Sequence, residues 1–155
     1  MSDPRAVLLP STAASAAAAR VNVTDGLAGA GVSPAAISDA GLVVSELVSN
    51  AIRHARPLPG ATVQLTWALG NGSVEISVRD GGASTPPRPA LPSLSSLGGR
   101  GLAVVERLAC RWGISTGEAG TVVWAVLPAP RAAASATGTG PLSGRFEGAD
   151  QAGKG

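Results

Sequence analysis

Between residues 40 and 55 the apolar positions recur with a helical period. Val43, Val44, Leu47, Val48, Ala51, Ile52 and Ala55 fall on one broad face, and Glu46, Asn50 and Arg53 cluster on the opposite one. Ser33 followed by Pro34 supplies an N-cap and a first-turn proline for this helix, and Pro57-Leu58-Pro59-Gly60 stops it. Upstream, residues 6–9 predict a short strand ended by Pro10, after a frayed terminus at 1–5. Ser11 and Thr12 then offer capping side chains to an alanine-rich helix running toward Leu27. Beyond residue 60 the period changes to two. Val63, Leu65, Trp67 and Leu69 alternate with polar or small neighbours, as do Val74, Ile76 and Val78, and Gly70-Asn71-Gly72 joins the two runs. That pattern predicts an antiparallel hairpin with one buried face. Residues 83–97 have no period and carry Pro86, Pro87, Pro89 and Pro92. A third helix is expected over 102–111, with Leu102, Val105, Leu108 and Ala109 as its apolar stripe. A short strand over 112–115, a turn over 117–120 and a closing strand over 121–127 complete the ordered part. Together these elements predict an α+β fold, a two-layer α/β sandwich with helices on one face of a mixed, mainly antiparallel sheet.

Composition narrows the class. The chain has 155 residues, 45% of them hydrophobic and 14% charged, enough for one domain with a real core. That domain is expected over 6–128. Residues 129–155 are Ala, Gly, Ser, Thr and Pro with few large apolar groups, and are expected to form a disordered tail. The net charge of +2 comes without any basic run, so nucleic acid is not an expected partner. Cys110 is the only cysteine, which excludes a disulfide within the chain and fits a reducing, cytoplasmic setting. It is expected to be inert and partly buried. No basic start and apolar core of a signal peptide is visible, and no apolar run is expected to reach the ~18 to 20 residues that span a bilayer. Trp67, Trp112 and Trp124 all sit in apolar contexts and are expected in the core.

Three places carry candidate chemistry. Glu46 and Asn50 are one helical turn apart, with His54 at the edge of the same row. A carboxylate, an amide oxygen and an imidazole in line suit a hydrated hard cation or the orientation of a nucleophile. Asp80-Gly81-Gly82 ends a strand with a carboxylate beside backbone that has no Cβ, so a flat ligand can approach and donate an amine hydrogen to Asp80. Gly98-Gly99-Arg100-Gly101 precedes a helix, where free N–H groups and the dipole favour phosphate. Each of the three alone is also an ordinary solvated face or turn. No Gly-x-x-x-x-Gly-Lys-Ser/Thr sequence is present, which excludes a P-loop.

Their order is more specific. A Glu-x-x-x-Asn helix, a strand ending in Asp-x-Gly, a loose loop, Gly-x-Gly opening a helix and Gly-Thr in a closing strand resemble the ATP-binding domain shared by gyrase, Hsp90, histidine kinases and MutL, the GHKL superfamily with its Bergerat fold. Within it, the chain looks most like the small serine-kinase anti-sigma factors and the stand-alone ATP-binding regulators similar to them. The resemblance covers about residues 6–128, and residues 45–55 with 98–102 are its most specific segments. It implies that Asn50 holds Mg²⁺ on the ATP phosphates and that Glu46 orients or deprotonates the attacking hydroxyl. It implies that Asp80 reads the adenine amine, that Gly82 leaves room for the base, and that Thr121 supports Asp80. Gly99 and Gly101 would let the loop close over the phosphates, residues 83–97 would be the lid, and Arg100 would reach phosphate or partner. His54 either contacts the phosphates or caps the helix. Arg20 on the first helix is a candidate contact for a protein substrate, or a plain surface charge.

The implied activity is that of a serine/threonine protein kinase that phosphorylates an anti-anti-sigma factor and binds a sigma factor, and the resemblance also implies a homodimer. The alternative is a nucleotide-responsive or nucleotide-free protein-binding module without kinase activity.

Overall fold

Asn71 and Gly72 both adopt positive φ, 55° and 76°, the conformation that a two-residue turn between right-twisted strands requires. They join β2 (Thr62–Gly70) to β3 (Ser73–Asp80), the central hairpin of a computed structural model that describes residues 3–82 and 100–132. β1 (Arg5–Pro10) pairs with β2, and β4 (Arg111–Gly117) and β5 (Gly120–Pro128) form a second hairpin whose β5 pairs with β3. The five strands run in the order β1-β2-β3-β5-β4, and all four ladders are antiparallel. The expected sandwich is present, with a sheet more uniform than the mixed one foreseen.

Three helices pack on this sheet: α1 (Ala14–Gly29), α2 (Pro34–His54) and α3 (Arg100–Leu108). α2 is the centre of the helical layer, in contact with α1, α3, β2, β3 and β5. Its start is the predicted one, Ser33 accepting the Ala36 N–H at 3.3 Å with Pro34 behind it. α1 starts later than expected, after Ala13, with no side chain capping it. Ser11 and Thr12 are instead taken up in the turn that follows β1, their N–H groups donating to the carbonyls of Ala61 and Pro10, both at 2.8 Å. Ser15, buried in the first turn of α1, donates its hydroxyl to the same Pro10 carbonyl.

The core lies between the layers. Val63 and Leu65 of β2, Val74, Ile76 and Val78 of β3, and Ala125 and Leu127 of β5 meet Val43, Val44, Leu47 and Val48 of α2, Val23 and Leu27 of α1, and Leu102 and Val105 of α3. α2 is long and apolar enough, by length and composition, to cross a membrane, which corrects the expectation that no segment reaches that length. Here its apolar face is buried in the domain: Ala36, Ala40, Gly41, Val43, Val44, Leu47, Val48 and Ala51 are covered by neighbouring elements.

Two tryptophans sit with the core and one does not. Trp67 is buried, donates its indole N–H to Asn22 Oδ1 at 3.0 Å, and lies against Gly26, where any Cβ would overlap the ring. Trp112 packs at the core edge. Trp124 pairs with Ser77 and Gly113, which places it on the sheet face away from the helices, half-buried over the bare Cα of Gly113. Cys110 is exposed rather than partly buried, because it falls in the turn between α3 and β4.

The ordered chain also continues past residue 128. Ala129 is buried and donates to the Gly72 carbonyl, the Pro130 carbonyl accepts from Ser33, and Ala132 donates to Gly31, each at 2.8 Å. Residues 129–132 thus belong to the folded unit and tie the end of β5 to the turn between α1 and α2. The rest of the expected tail, 133–155, lies outside the described residues.

Candidate functional site

The polar row of α2 survives folding in part. Glu46 and Asn50 are both half-buried, one turn apart, while Arg53 and His54 in the last turn are exposed. Asn50 stands out chemically: both its amide nitrogen and its amide oxygen are buried, and neither has a hydrogen-bond partner among the described residues. A buried amide without partners costs about 1–3 kcal/mol, so this one is left for a water, an ion or a group outside the described residues to complete.

β3 delivers the second group. Asp80, its last residue, follows Val74, Ile76 and Val78 on the inner face and is only 5% exposed. Its Oδ1 accepts the Gly82 N–H at 2.7 Å, closing a local turn that aims the carboxylate. Gly82 takes φ +98°, a region glycine favours. Across the ladder the partner of Asp80 is Thr121, half-buried near the start of β5. Thr121 Oγ1 also lies close to Gly82, 3.9 Å from where a Cβ on that glycine would stand.

Two more glycines let backbone close in around Asp80. Gly120, at φ +115°, lies so near the Asp80 carbonyl that a Cβ there would overlap it. Gly81 lies against the chain that leaves α2: its N–H donates to the Arg56 carbonyl at 2.7 Å, and Arg56 N–H donates to the Gly82 carbonyl at 2.8 Å. The pattern of apolar residues marks none of these contacts, because each joins segments far apart in sequence. Only the glycines themselves were visible, as turn signals.

The structure therefore gathers Asp80, Gly82 and Thr121 at one end of the sheet, next to the segment that follows α2, and it puts Glu46 and Asn50 on α2, which packs against β3. Arg100 and Gly101 open α3, two residues earlier than the predicted start. Gly99 and the expected lid at 83–97 lie outside the described residues.

A family model for the histidine kinase-like ATPase domain matches residues 9–127, a span that holds α1 to β4 and all of β5 but Pro128. The chain belongs to this family. The ATPase domain is also similar, at 25% identity and a TM-score of 0.64, to a crystal structure of the RsbU and RsbW domains of Rv1364c from Mycobacterium tuberculosis. That match covers 84% of this chain and 34% of the other, so the domain spans about a third of the length of that protein's chain. Comparison with curated proteins returns no match.

Membership implies ATP as ligand, and the residues present fit it. Asn50 offers an amide oxygen, unpartnered among the described residues, of the kind a nucleotide-bound cation takes as ligand, and Asp80 offers a carboxylate acceptor beside the Cβ-free backbone of Gly81 and Gly82. Among the described residues no three His, Cys, Asp or Glu side chains gather as a metal cage. A magnesium ion here would be held by Asn50 and by the phosphates themselves, the usual state of Mg²⁺ on a nucleotide.

Burial pushes the Asp80 carboxyl above the ordinary value of 3.8, and the Gly82 N–H it accepts pulls the other way without cancelling the effect. The folded state then holds this proton more tightly than the unfolded chain does. Stability from this group is greatest below the ordinary carboxylate value and falls as pH rises through the raised one. Asp80→Asn keeps an acceptor for Gly82 and removes the charge. Its melting temperature should equal the wild type's below about pH 3 and exceed it increasingly as pH rises through the raised value, as thermal melts from about pH 3 to 7 would show. A difference that is flat or reversed would contradict the assignment.

Proposed function

We propose that this chain is an ATP-binding regulator of the anti-sigma kinase type, which transfers phosphate to a serine or threonine of an anti-anti-sigma partner and binds a sigma factor. The observation that carries the proposal is the buried amide of Asn50, unpartnered among the described residues, one turn from the carboxylate of Glu46 on a helix that packs beside the Asp80 strand. The similarity to a structure containing an RsbW domain supports the regulatory setting.

The roles follow from what each group can do. Asp80 accepts a hydrogen bond from the exocyclic amine of adenine; guanine presents a carbonyl there and is repelled. Asn50 holds the cation, which when bound neutralises the phosphate oxygens and so lowers the barrier to attack. Glu46, one turn earlier on the same face, aligns the partner's hydroxyl and takes up its proton. The first turn of α3, opened by Arg100 and Gly101, presents free N–H groups to the phosphates. His54, exposed in the last turn of α2, contacts the phosphates or caps the helix end.

Calorimetry with ATP, with and without Mg²⁺, tests binding. The wild type should bind in a magnesium-dependent way, and Asp80→Asn should not bind measurably. Glu46→Ala should keep ATP affinity within about threefold while its transfer rate to a cognate partner falls by roughly 10²–10⁴, the usual contribution of a positioned base. Nucleotide binding without transfer in the wild type would instead favour a nucleotide-responsive binding module. If the wild type binds no ATP at all, the proposal fails.

A further inference from the structure

Gly81 has no conformational reason to be glycine, since its backbone is not among those with positive φ. Its reason is space. A Cβ on Gly81 would overlap the Pro57 carbonyl oxygen and stand 2.8 Å from that of Arg56. The two chains lie backbone on backbone, held by the reciprocal bonds between Gly81 N–H and the Arg56 carbonyl (2.7 Å) and between Arg56 N–H and the Gly82 carbonyl (2.8 Å).

The wall that Gly81 leans on is stiff. Pro57 fixes its own φ and confines the residue before it to extended backbone. Ala55, already extended at φ −125° and ψ 162°, ends α2 directly ahead of it and still donates to the Ala51 carbonyl at 3.2 Å. The Gly120 backbone also closes against the Asp80 carbonyl. Main chain from two other segments thus crowds Asp80 and the Gly81 that follows it, with the Asp80 carboxylate pinned to Gly82 N–H.

We infer that Gly81 and the Arg56–Pro57 backbone form a positioning clamp that sets Asp80 for reading the base. The inference rests on the proposed ATP site and deepens it. Gly81 touches no ligand in this scheme; it acts through Asp80. A merely structural turn would change stability and nothing else. A positioning clamp also changes base discrimination.

The test measures dissociation constants for ATP, GTP and inorganic tripolyphosphate, each with Mg²⁺, alongside thermal melts. It compares the wild type with Gly81→Ala, with Pro57→Ala, and with Gly117→Ala, where an added Cβ meets nothing within 4 Å. Gly81→Ala should weaken ATP about 10- to 100-fold, the worth of one hydrogen bond to a charged group. Its preference for ATP over GTP should collapse while tripolyphosphate affinity stays within about threefold of wild type. Pro57→Ala, which loosens the wall without inserting an atom, should lower the same preference by a smaller factor, and it carries the test if Gly81→Ala does not fold. Gly117→Ala should match the wild type throughout. Unchanged discrimination in Gly81→Ala and Pro57→Ala overturns the clamp while leaving the ATP site standing. Failure of the wild type to bind ATP sinks both.

Discussion

Gly120→Ala is expected to cost about 3 kcal/mol or more, from two causes that act together. At φ +115° an L side chain is strained by about 1–3 kcal/mol. The new methyl would also overlap the Asp80 carbonyl oxygen, and that oxygen belongs to the β3 backbone, which cannot swing aside as a flexible side chain would. Forcing such an overlap adds roughly 1–3 kcal/mol. Against a total stability of about 5–15 kcal/mol, a loss of this size is a large fraction. For a domain of this size the midpoint should fall by about 10 °C or more in a thermal melt. Gly29→Ala, in α1 with nothing near the added atom, should by contrast be neutral or stabilising. If Gly120→Ala melts within about 2 °C of the wild type, the close approach of β5 to Asp80 is not a real feature of the molecule.

The second large effect runs in opposite directions on stability and on function. Asn50→Leu replaces a buried amide, unpartnered among the described residues, with an apolar group of nearly the same shape. Relieving that desolvation should stabilise the nucleotide-free domain by about 1 kcal/mol, which corresponds to a rise of a few degrees in the melting midpoint. The same change deletes the oxygen proposed to hold the cation, so magnesium-dependent ATP affinity should fall by about 100-fold or more. An ordinary core polar residue would show the reverse, with stability lost and no effect on ligand. The pair of melting and calorimetric measurements therefore separates a binding group from a packing group, and a drop in stability without loss of ATP binding would remove Asn50 from the site. Such a trade of stability for activity is what groups held in reserve for a ligand produce.

Much of the fold was legible in the order of residues. The alternation of Val63, Leu65, Trp67 and of Val74, Ile76, Val78 around Asn71-Gly72 specifies a hairpin, because register and turn both follow from nearest neighbours in the chain. Ser33-Pro34 specifies the start of α2 for the same reason. The apolar stripe of α3 was read correctly although its start was placed two residues late, at the edge of a glycine-rich segment where periodicity gives no signal. Ser11 and Thr12 do not cap α1, because the helix begins only after Ala13 and these residues lie in a turn fixed by a bond from Ser11 N–H to Ala61, in another part of the chain. The same holds for the end of the domain. Residues 129–132 carry no periodic pattern, and what orders them is hydrogen bonding to Gly31, Ser33 and Gly72.

The sequence by itself determined the elements, their polarity and the identities of the candidate ligands, because caps, turns and amphipathic periods act over a few residues. It placed Glu46 and Asn50 on one helix face and Asp80 at a strand end. Only the tertiary structure decided that the Asn50 amide is buried without a partner among the described residues, that Trp124 faces away from the helices, and that main chain from two other segments crowds Asp80 and the Gly81 that follows it. Burial, orphaned hydrogen-bonding groups and backbone close approach are properties of segments brought together from distant parts of the chain, and no local pattern of residue types encodes them.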